Sequence, residues 1–253
     1  MSISIKILSY YLFMPQSGGG METKMDIKKI CSHVDHTILK ADTSLKDIDK
    51  LCEEAIRLKT ASVCIPPHYI KYVHDKYGKE LVICTVVGFP LGYACSEAKK
   101  AETRKALEDG ALEIDMVINI CDVKNKDYDK VETEIRELKE LVGDKVLKVI
   151  IECCYLDEEE KIKLCEIVSK AKADFIKTST GFGSSGAKKE DIELFKKHIS
   201  KDVKIKAAGG IRTLEDMEEF INLGCERIGS SSIGKLCYSS GRLFIFVKKT
   251  KKV

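Results

Sequence analysis

A lysine that ends an apolar strand and is followed at once by three hydroxyl residues and a glycine is the feature of this chain best suited to chemistry. The run is Asp174-Phe175-Ile176-Lys177-Thr178-Ser179-Thr180-Gly181. A second run, Val203-Lys204-Ile205-Lys206-Ala207-Ala208-Gly209-Gly210, repeats the plan. An amine taken out of water is costly as a cation, so it surrenders its proton more readily and can act as a nucleophile at neutral pH. A second ammonium nearby strengthens that tendency. Either lysine alone reads as a solvated charge at a strand edge. Two of them on consecutive strands, with matching glycine-rich exits, favour an amine used in a reaction.

Acidic partners stand on the strands between. In Glu113-Ile114-Asp115-Met116-Val117-Ile118-Asn119, alternation puts Glu113, Asp115, Val117 and Asn119 on one face. An aspartate inside an apolar strand is expensive unless paired. Asp115 is therefore either half of a structural ion pair or a proton shuttle for a lysine-bound substrate. Leu147-Lys148-Val149-Ile150-Ile151-Glu152 carries one more lysine and a glutamate of the same parity. Lys148 either adds positive potential near Asp115 or pairs with Glu152. Cys64, in Val63-Cys64-Ile65-Pro66-Pro67, ends a strand where it could line the site, although a lone cysteine is more often core. Asp35 and Thr37, in Asp35-His36-Thr37, offer contacts to substrate hydroxyls or form an ordinary polar turn.

Glycine and serine cluster after the last three strands, in Gly181-Phe182-Gly183-Ser184-Ser185-Gly186, Gly209-Gly210 and Gly229-Ser230-Ser231-Ser232. Glycine lets backbone N–H groups approach an anion and serine adds donors. Two such loops after adjacent strands point to a phosphorylated small molecule. The histidines and cysteines form no metal-ligand spacing, and the chain has neither a dinucleotide-binding glycine fingerprint nor a Walker loop.

Apolar β-rich runs alternate with amphipathic helical ones from about residue 26 onward, and these elements must position the residues above. Strands are expected at Val34–Leu39, Ser62–Ile65, Leu81–Val87, Glu113–Asn119, Leu147–Cys153, Asp174–Ser179, Val203–Ala208 and Arg227–Ser230. Helices are expected near 43–58, 67–77, 94–109, 127–142, 157–172, 188–198 and 213–223. Asp157-Glu158-Glu159-Glu160 and Thr213-Leu214-Glu215-Asp216 read as capping boxes. Eight strand–helix alternations with short connections favour a (β/α)8 TIM barrel, a single α/β domain, over an open doubly wound sheet. In such a barrel catalytic groups gather at the C-terminal strand ends, where both lysines fall.

A chain of 253 residues is long enough for one such domain. The net charge of +3 comes from the termini. Six of the 43 basic residues lie at 1–20 or 242–253, where there is no acid, and the remainder sets 37 bases against 40 acids. The domain therefore carries no general basic patch, and neither a nucleic-acid nor a membrane partner is expected. Eleven scattered cysteines, an odd number, read as reduced thiols in a cytoplasmic protein. Residues 1–24 read as a disordered extension, with Met21 and Met25 as candidate starts; 25–235 reads as the barrel, and 236–253 as a divergent basic tail interrupted by Tyr238-Ser239-Ser240-Gly241.

Taken in order, the motifs resemble those of the class I, Schiff-base deoxyribose-phosphate aldolases. They are Asp35-His36-Thr37-Ile38-Leu39-Lys40, Val63-Cys64-Ile65-Pro66-Pro67, Thr85-Val86-Val87-Gly88-Phe89-Pro90-Leu91-Gly92, Glu113–Asn119, Lys148–Glu152, Lys177-Thr178-Ser179-Thr180-Gly181-Phe182, Lys206-Ala207-Ala208-Gly209-Gly210-Ile211-Arg212-Thr213 and Arg227–Ser232. The resemblance covers roughly residues 30–235. It implies reversible cleavage of 2-deoxy-D-ribose 5-phosphate to D-glyceraldehyde 3-phosphate and acetaldehyde. It implies Lys177 as the Schiff-base lysine, Lys206 as the lysine that tunes it and joins a proton relay, and Asp115 as their acid–base partner acting through water. Substrate contacts are implied at Asp35, Thr37, Cys64, Lys148, Thr180, Gly181, Gly209, Gly210, Gly229, Ser230 and Ser231. No metal or cofactor is implied, and the family prior is a homodimer or homotetramer. Ala208 stands where many members have serine, and the chain lacks the terminal tyrosine of some. Two other readings are a sugar-phosphate-binding barrel impaired in catalysis and a different phosphosugar barrel enzyme.

Overall fold

The computed structural model describes residues 25–239, and within them eight parallel strands close on themselves in sequence order, β1 to β8, with β8 returning to β1. The strands are β1 Val34–Thr37, β2 Ser62–Ile65, β3 Ile83–Val87, β4 Glu113–Val117, β5 Val146–Ile150, β6 Phe175–Lys177, β7 Lys204–Ala208 and β8 Arg227–Ser230. Around them run α1 Ile27–Ser32, α2 Leu45–Leu58, α3 Ile70–Tyr77, α4 Ser96–Glu108, α5 Ile120–Lys124, α6 Tyr128–Val142, α7 Glu158–Lys170, α8 Lys189–His198, α9 Leu214–Asn222 and α10 Ile233–Ser239. This is the (β/α)8 barrel expected from the alternation. The sequence readings of residues 1–24 and 240–253 fall outside the described residues.

Strand parity divides the molecule into two interiors. Val63, Ile65, Ile114, Met116, Val149, Ile176, Ile205 and Ile228 face outward and are buried against the helices, each contributing about 2 kcal/mol by leaving water. The alternate residues face the barrel lumen. In most barrels that lumen is filled by Val, Ile and Leu; here Asp35, Glu113, Asp115, Lys148, Lys177, Lys206 and Arg227 share it with a small apolar cluster of Cys64, Cys84 and Val86.

Both capping boxes read from the sequence are formed. Asp157 accepts from the Glu160 backbone while Glu160 reaches back, and Thr213 and Asp216 do the same, with Ser44 and Asp47 as a third pair. Several strands are shorter than the apolar runs. β1 stops at Thr37 rather than Leu39, β4 at Val117 rather than Asn119, β5 at Ile150 rather than Cys153, and β6 at Lys177 rather than Ser179. Cross-strand bonds persist past the ladders, from Ile118 N to Ile150 O (3.1 Å) and from Ile151 N to Lys177 O (3.1 Å). The apolar runs therefore track burial beyond the regular ladder. Asn119, expected to continue β4, caps α5 by accepting from Cys121 N. The expected boundary at 235–236 lies inside α10.

Candidate active site

The ionisable lumen side chains are held by adjacent strands in register. Asp115 of β4 pairs with Lys148 of β5, and Lys177 of β6 pairs with Lys206 of β7, which in turn pairs with Arg227 of β8. Side chains at matching lumen positions therefore converge. Asp115 is the hub. Lys177 Nζ and Lys206 Nζ each donate to its Oδ2 at 2.7 Å. Its Oδ1 accepts from Lys148 Nζ at 2.9 Å and from the Cys84 thiol at 3.1 Å.

A second layer steadies the hub. Lys206 Nζ also donates to Asp35 Oδ2 at 2.5 Å, and Lys148 Nζ to Glu113 Oε2 at 2.6 Å. Arg227 closes the network, donating to Asp35 Oδ1 at 2.6 Å and to both oxygens of Glu113 at 2.9 and 2.8 Å. Ser62 Oγ completes the Asp35 shell at 2.8 Å. Asp35, Asp115, Lys148 and Lys206 are wholly buried, whereas Lys177 keeps 3% of its surface exposed, at the mouth.

Ion pairing sets the charge of these groups against burial. Burial alone would push the carboxylates up and the ammoniums down. For Asp115 burial is outweighed by Lys148, Lys177 and Lys206, which hold it well below the usual carboxylate range. Asp35 is likewise held low against burial by Lys206, Lys148 and Arg227. Lys206 is the converse case. Burial does oppose its charge, but Asp115 and Asp35 override that and hold it above the ordinary lysine range. Lys148 is raised in the same way, with Asp115 the leading carboxylate against burial. Ligand-type atoms of Cys64, Cys84 and Asp115, and of Asp35, Cys84 and Glu113, lie close enough to suit a cation. Glu113, Asp115 and Cys84 instead surround the Lys148 ammonium, with Cys84 Sγ at 3.3 Å.

Lys148 therefore takes the first of its two sequence readings, a cation beside Asp115. Glu152 bonds elsewhere, accepting from the Thr180 backbone N–H and hydroxyl. Cys64 is buried in the lumen in register with Cys84 and Thr37. Thr37 Oγ1 donates to Asp35 O at 2.8 Å. Both carboxylate oxygens of Asp35 are occupied by Lys206, Arg227 and Ser62, so it faces the network rather than open space.

The glycine-rich loops meet over the mouth. A Cβ on Gly186 would stand 2.1 Å from Gly209 O, so the loops after β6 and β7 touch through glycine. Gly229 lies in register with Ala208, bringing the β8 loop alongside. Gly181, Gly210 and Ser231 are exposed, whereas Ser230 is buried and donates to Ile211 O at 3.1 Å. Ser179 Oγ, buried and of the same parity as Lys177, has no hydrogen-bond partner among the described residues.

Sequence reading missed Arg227, Ser62 and Cys84 and left Glu113 without a role. Parity marks Glu113 and Arg227 as lumen-facing, but only closure of β8 onto β1 brings Arg227 to Asp35. A cavity of about 490 Å3 opens on the flank, lined by Ser96, Lys100, Asn119, Asp122 and Glu134 among others. The lysine cluster lies elsewhere, inside the barrel lumen, with Lys177 nearest the mouth.

Comparisons with known proteins bear on the family and the fold. A model of the DeoC/LacD family of aldolases matches residues 29–242. A deoxyribose-phosphate aldolase of Clostridium botulinum (strain Alaska E43 / Type E3) is 63% identical over 207 residues, covering 82% of this chain and 94% of that protein. Another, from Clostridioides difficile (strain 630), is 57% identical over 210 residues, covering 83% and 96%. Among solved structures, an aldolase designated QR15 superposes with a TM-score of 0.81 at 36% identity, covering 87% of this chain and 99% of that one. The tetrameric deoxyribose phosphate aldolase of Aeropyrum pernix gives 0.79 at 28% identity, covering 86% and 93%. The chain belongs to the DeoC/LacD family of aldolases.

Proposed function

We propose that this protein is a deoxyribose-phosphate aldolase that cleaves 2-deoxy-D-ribose 5-phosphate to D-glyceraldehyde 3-phosphate and acetaldehyde through a Schiff base on Lys177. The observation that carries the assignment to Lys177 is the shared oxygen: Lys177 and Lys206 both donate to Asp115 Oδ2 at 2.7 Å. Four cations (Lys148, Lys177, Lys206 and Arg227) face three carboxylates (Asp35, Glu113 and Asp115), so the cluster becomes neutral when it loses one proton. Lys206 and Lys148 each hold two or more carboxylates. Lys177 contacts one, and that oxygen is shared. Lys177 is thus the amine free to attack, and it is also the one that reaches the mouth.

The neutral amine adds to the C1 aldehyde of the open-chain sugar, and loss of water leaves an iminium. A base removes the C3 hydroxyl proton, the C2–C3 bond breaks, and its electron pair flows into the iminium to give an enamine. Glyceraldehyde 3-phosphate departs. Protonation at C2 and hydrolysis then release acetaldehyde and regenerate the amine. Asp115, ionised and held by Lys206 and Lys148, is the base and acid of this relay through a bridging water. Lys206, held protonated in the resting site by Asp115 and Asp35, fixes the carboxylate, tunes Lys177 and joins the relay. The Gly181, Gly209–Gly210 and Gly229–Ser231 loops receive the phosphate, with Ser179 Oγ as a further donor.

The assembly is a homodimer or homotetramer in the cytoplasm, supported by the tetrameric Aeropyrum pernix relative. No helix of the described residues is long and apolar enough to cross a membrane. The test is product analysis: with 2-deoxyribose 5-phosphate the purified protein should yield equimolar acetaldehyde and glyceraldehyde 3-phosphate. Isomerised sugar phosphate in place of these products would contradict the assignment.

A further inference from the structure

Glu152 is unusual in three ways. It follows β5 by two residues and adopts a left-handed backbone, φ 52° and ψ 67°, which strongly disfavours a side chain. It is 98% buried, with 2% of its surface exposed. No lysine or arginine among the described residues pairs with its carboxylate, although a buried, unpaired carboxylate is costly. Two unfavourable features at one residue beside an active site indicate that the surrounding structure demands its position.

What it holds is the loop that follows Lys177. The Thr180 backbone N–H donates to both Glu152 oxygens at 3.2 Å, and the Thr180 hydroxyl donates to Oε2. That hydroxyl oxygen in turn accepts from Phe182 N at 3.0 Å. Two alternate N–H groups, those of Thr180 and Phe182, are therefore drawn toward the Glu152 side. The N–H between them, on exposed Gly181, has no partner among the described residues. The loop closes tightly over the carboxylate: a Cβ on Gly183 would stand 3.2 Å from Glu152 Oε1 and 2.6 Å from Cys154 Sγ. Backbone bonds from Ile151 N to Lys177 O and from Cys153 N to Thr178 O (2.9 Å) clamp the segment on both sides of Glu152.

We propose that Glu152 is a positioning residue for recognition of the substrate's phosphate. By pinning Thr180 it presents the Gly181 N–H and the rest of the 181–183 turn to the anion. The inference rests on the functional reading above, in which this loop receives the phosphate. Glu152 itself touches no substrate and moves no proton.

The discriminating measurement is a ratio: kcat/KM for 2-deoxyribose 5-phosphate divided by kcat/KM for unphosphorylated 2-deoxyribose. It is read in the wild type, Glu152→Gln and Glu152→Gly. In Gln, one half of the carboxylate becomes a donor, so a bond to Thr180 is lost. In Gly, all are lost while the backbone strain is relieved, and thermal unfolding monitors the fold. Each charge-assisted bond accounts for about tenfold. The ratio should fall about tenfold in Gln and further in Gly, mainly through KM of the phosphorylated sugar. If Gly does not fold, Gln alone carries the test. A ratio unchanged within about twofold in the folded variants, even with both activities reduced, would mean a merely structural residue and overturn the proposal. A wild-type ratio near one would instead sink the phosphorylated-substrate reading on which it depends.

Discussion

At the scale of residues, one carboxylate is shared by three lysines. Asp115 is affordable inside the barrel only because Lys148, Lys177 and Lys206 surround it, and they in turn need its charge. The pairing has a consequence for pH. Asp115 and Asp35 are held below the ordinary carboxylate range, so their contribution to stability is complete above about pH 4 and is lost as pH falls below it. Lys206 and Lys148 are held above the ordinary lysine range, so their contribution is complete below about pH 10.4 and is lost as pH rises beyond it. The cluster should thus leave a broad plateau of melting temperature between about pH 5 and 9, with a fall on each side. Calorimetry across that range checks it; a loss beginning between about pH 6 and 8 that disappears in Asp115→Asn would show that the lumen is not ion-paired as described. These roles were only partly legible in the sequence. Lys177, Lys206 and Asp115 stood out by type and by strand position. The strain at Glu152 did not, because glutamate carries no left-handed propensity.

At the scale of elements, the strands aim the side chains and the helix entries fix the loops. Thr213 starts α9 directly after Gly209-Gly210-Ile211-Arg212, and its hydroxyl accepts from Asp216 N at 3.0 Å while Asp216 accepts from Thr213 N at 3.1 Å. Thr213→Ala should cost about 1 kcal/mol of stability, read from the midpoint of urea unfolding. A loss near zero would mean that this box does not hold the helix entry. Such caps were readable because they depend on residues three apart. Strand ends were not: Ile118 and Ile151 are fully buried, so hydrophobicity carried the expected strands past the point where the regular ladder stops. The short helices α1 and α5, of six and five residues, offer too few turns for a periodic signal.

At the scale of the whole molecule, eight alternations of strand and helix were enough to indicate a barrel, and the closed order β1 to β8 is that barrel. What alternation could not convey was that the lumen is a single ionic network, since Arg227 reaches Asp35 across 192 positions of sequence only when the sheet closes. That closure brings acids and amines from six strands together and selects Lys177 as the amine with the fewest carboxylate contacts. The most direct test of this selection is borohydride reduction in the presence of acetaldehyde, followed by peptide mass spectrometry of the wild type and of Lys177→Leu and Lys206→Leu. One two-carbon adduct is expected, on Lys177, lost in Lys177→Leu and still detectable at Lys177 in Lys206→Leu. A wild-type adduct on Lys206 or Lys148, or none at all, would contradict it.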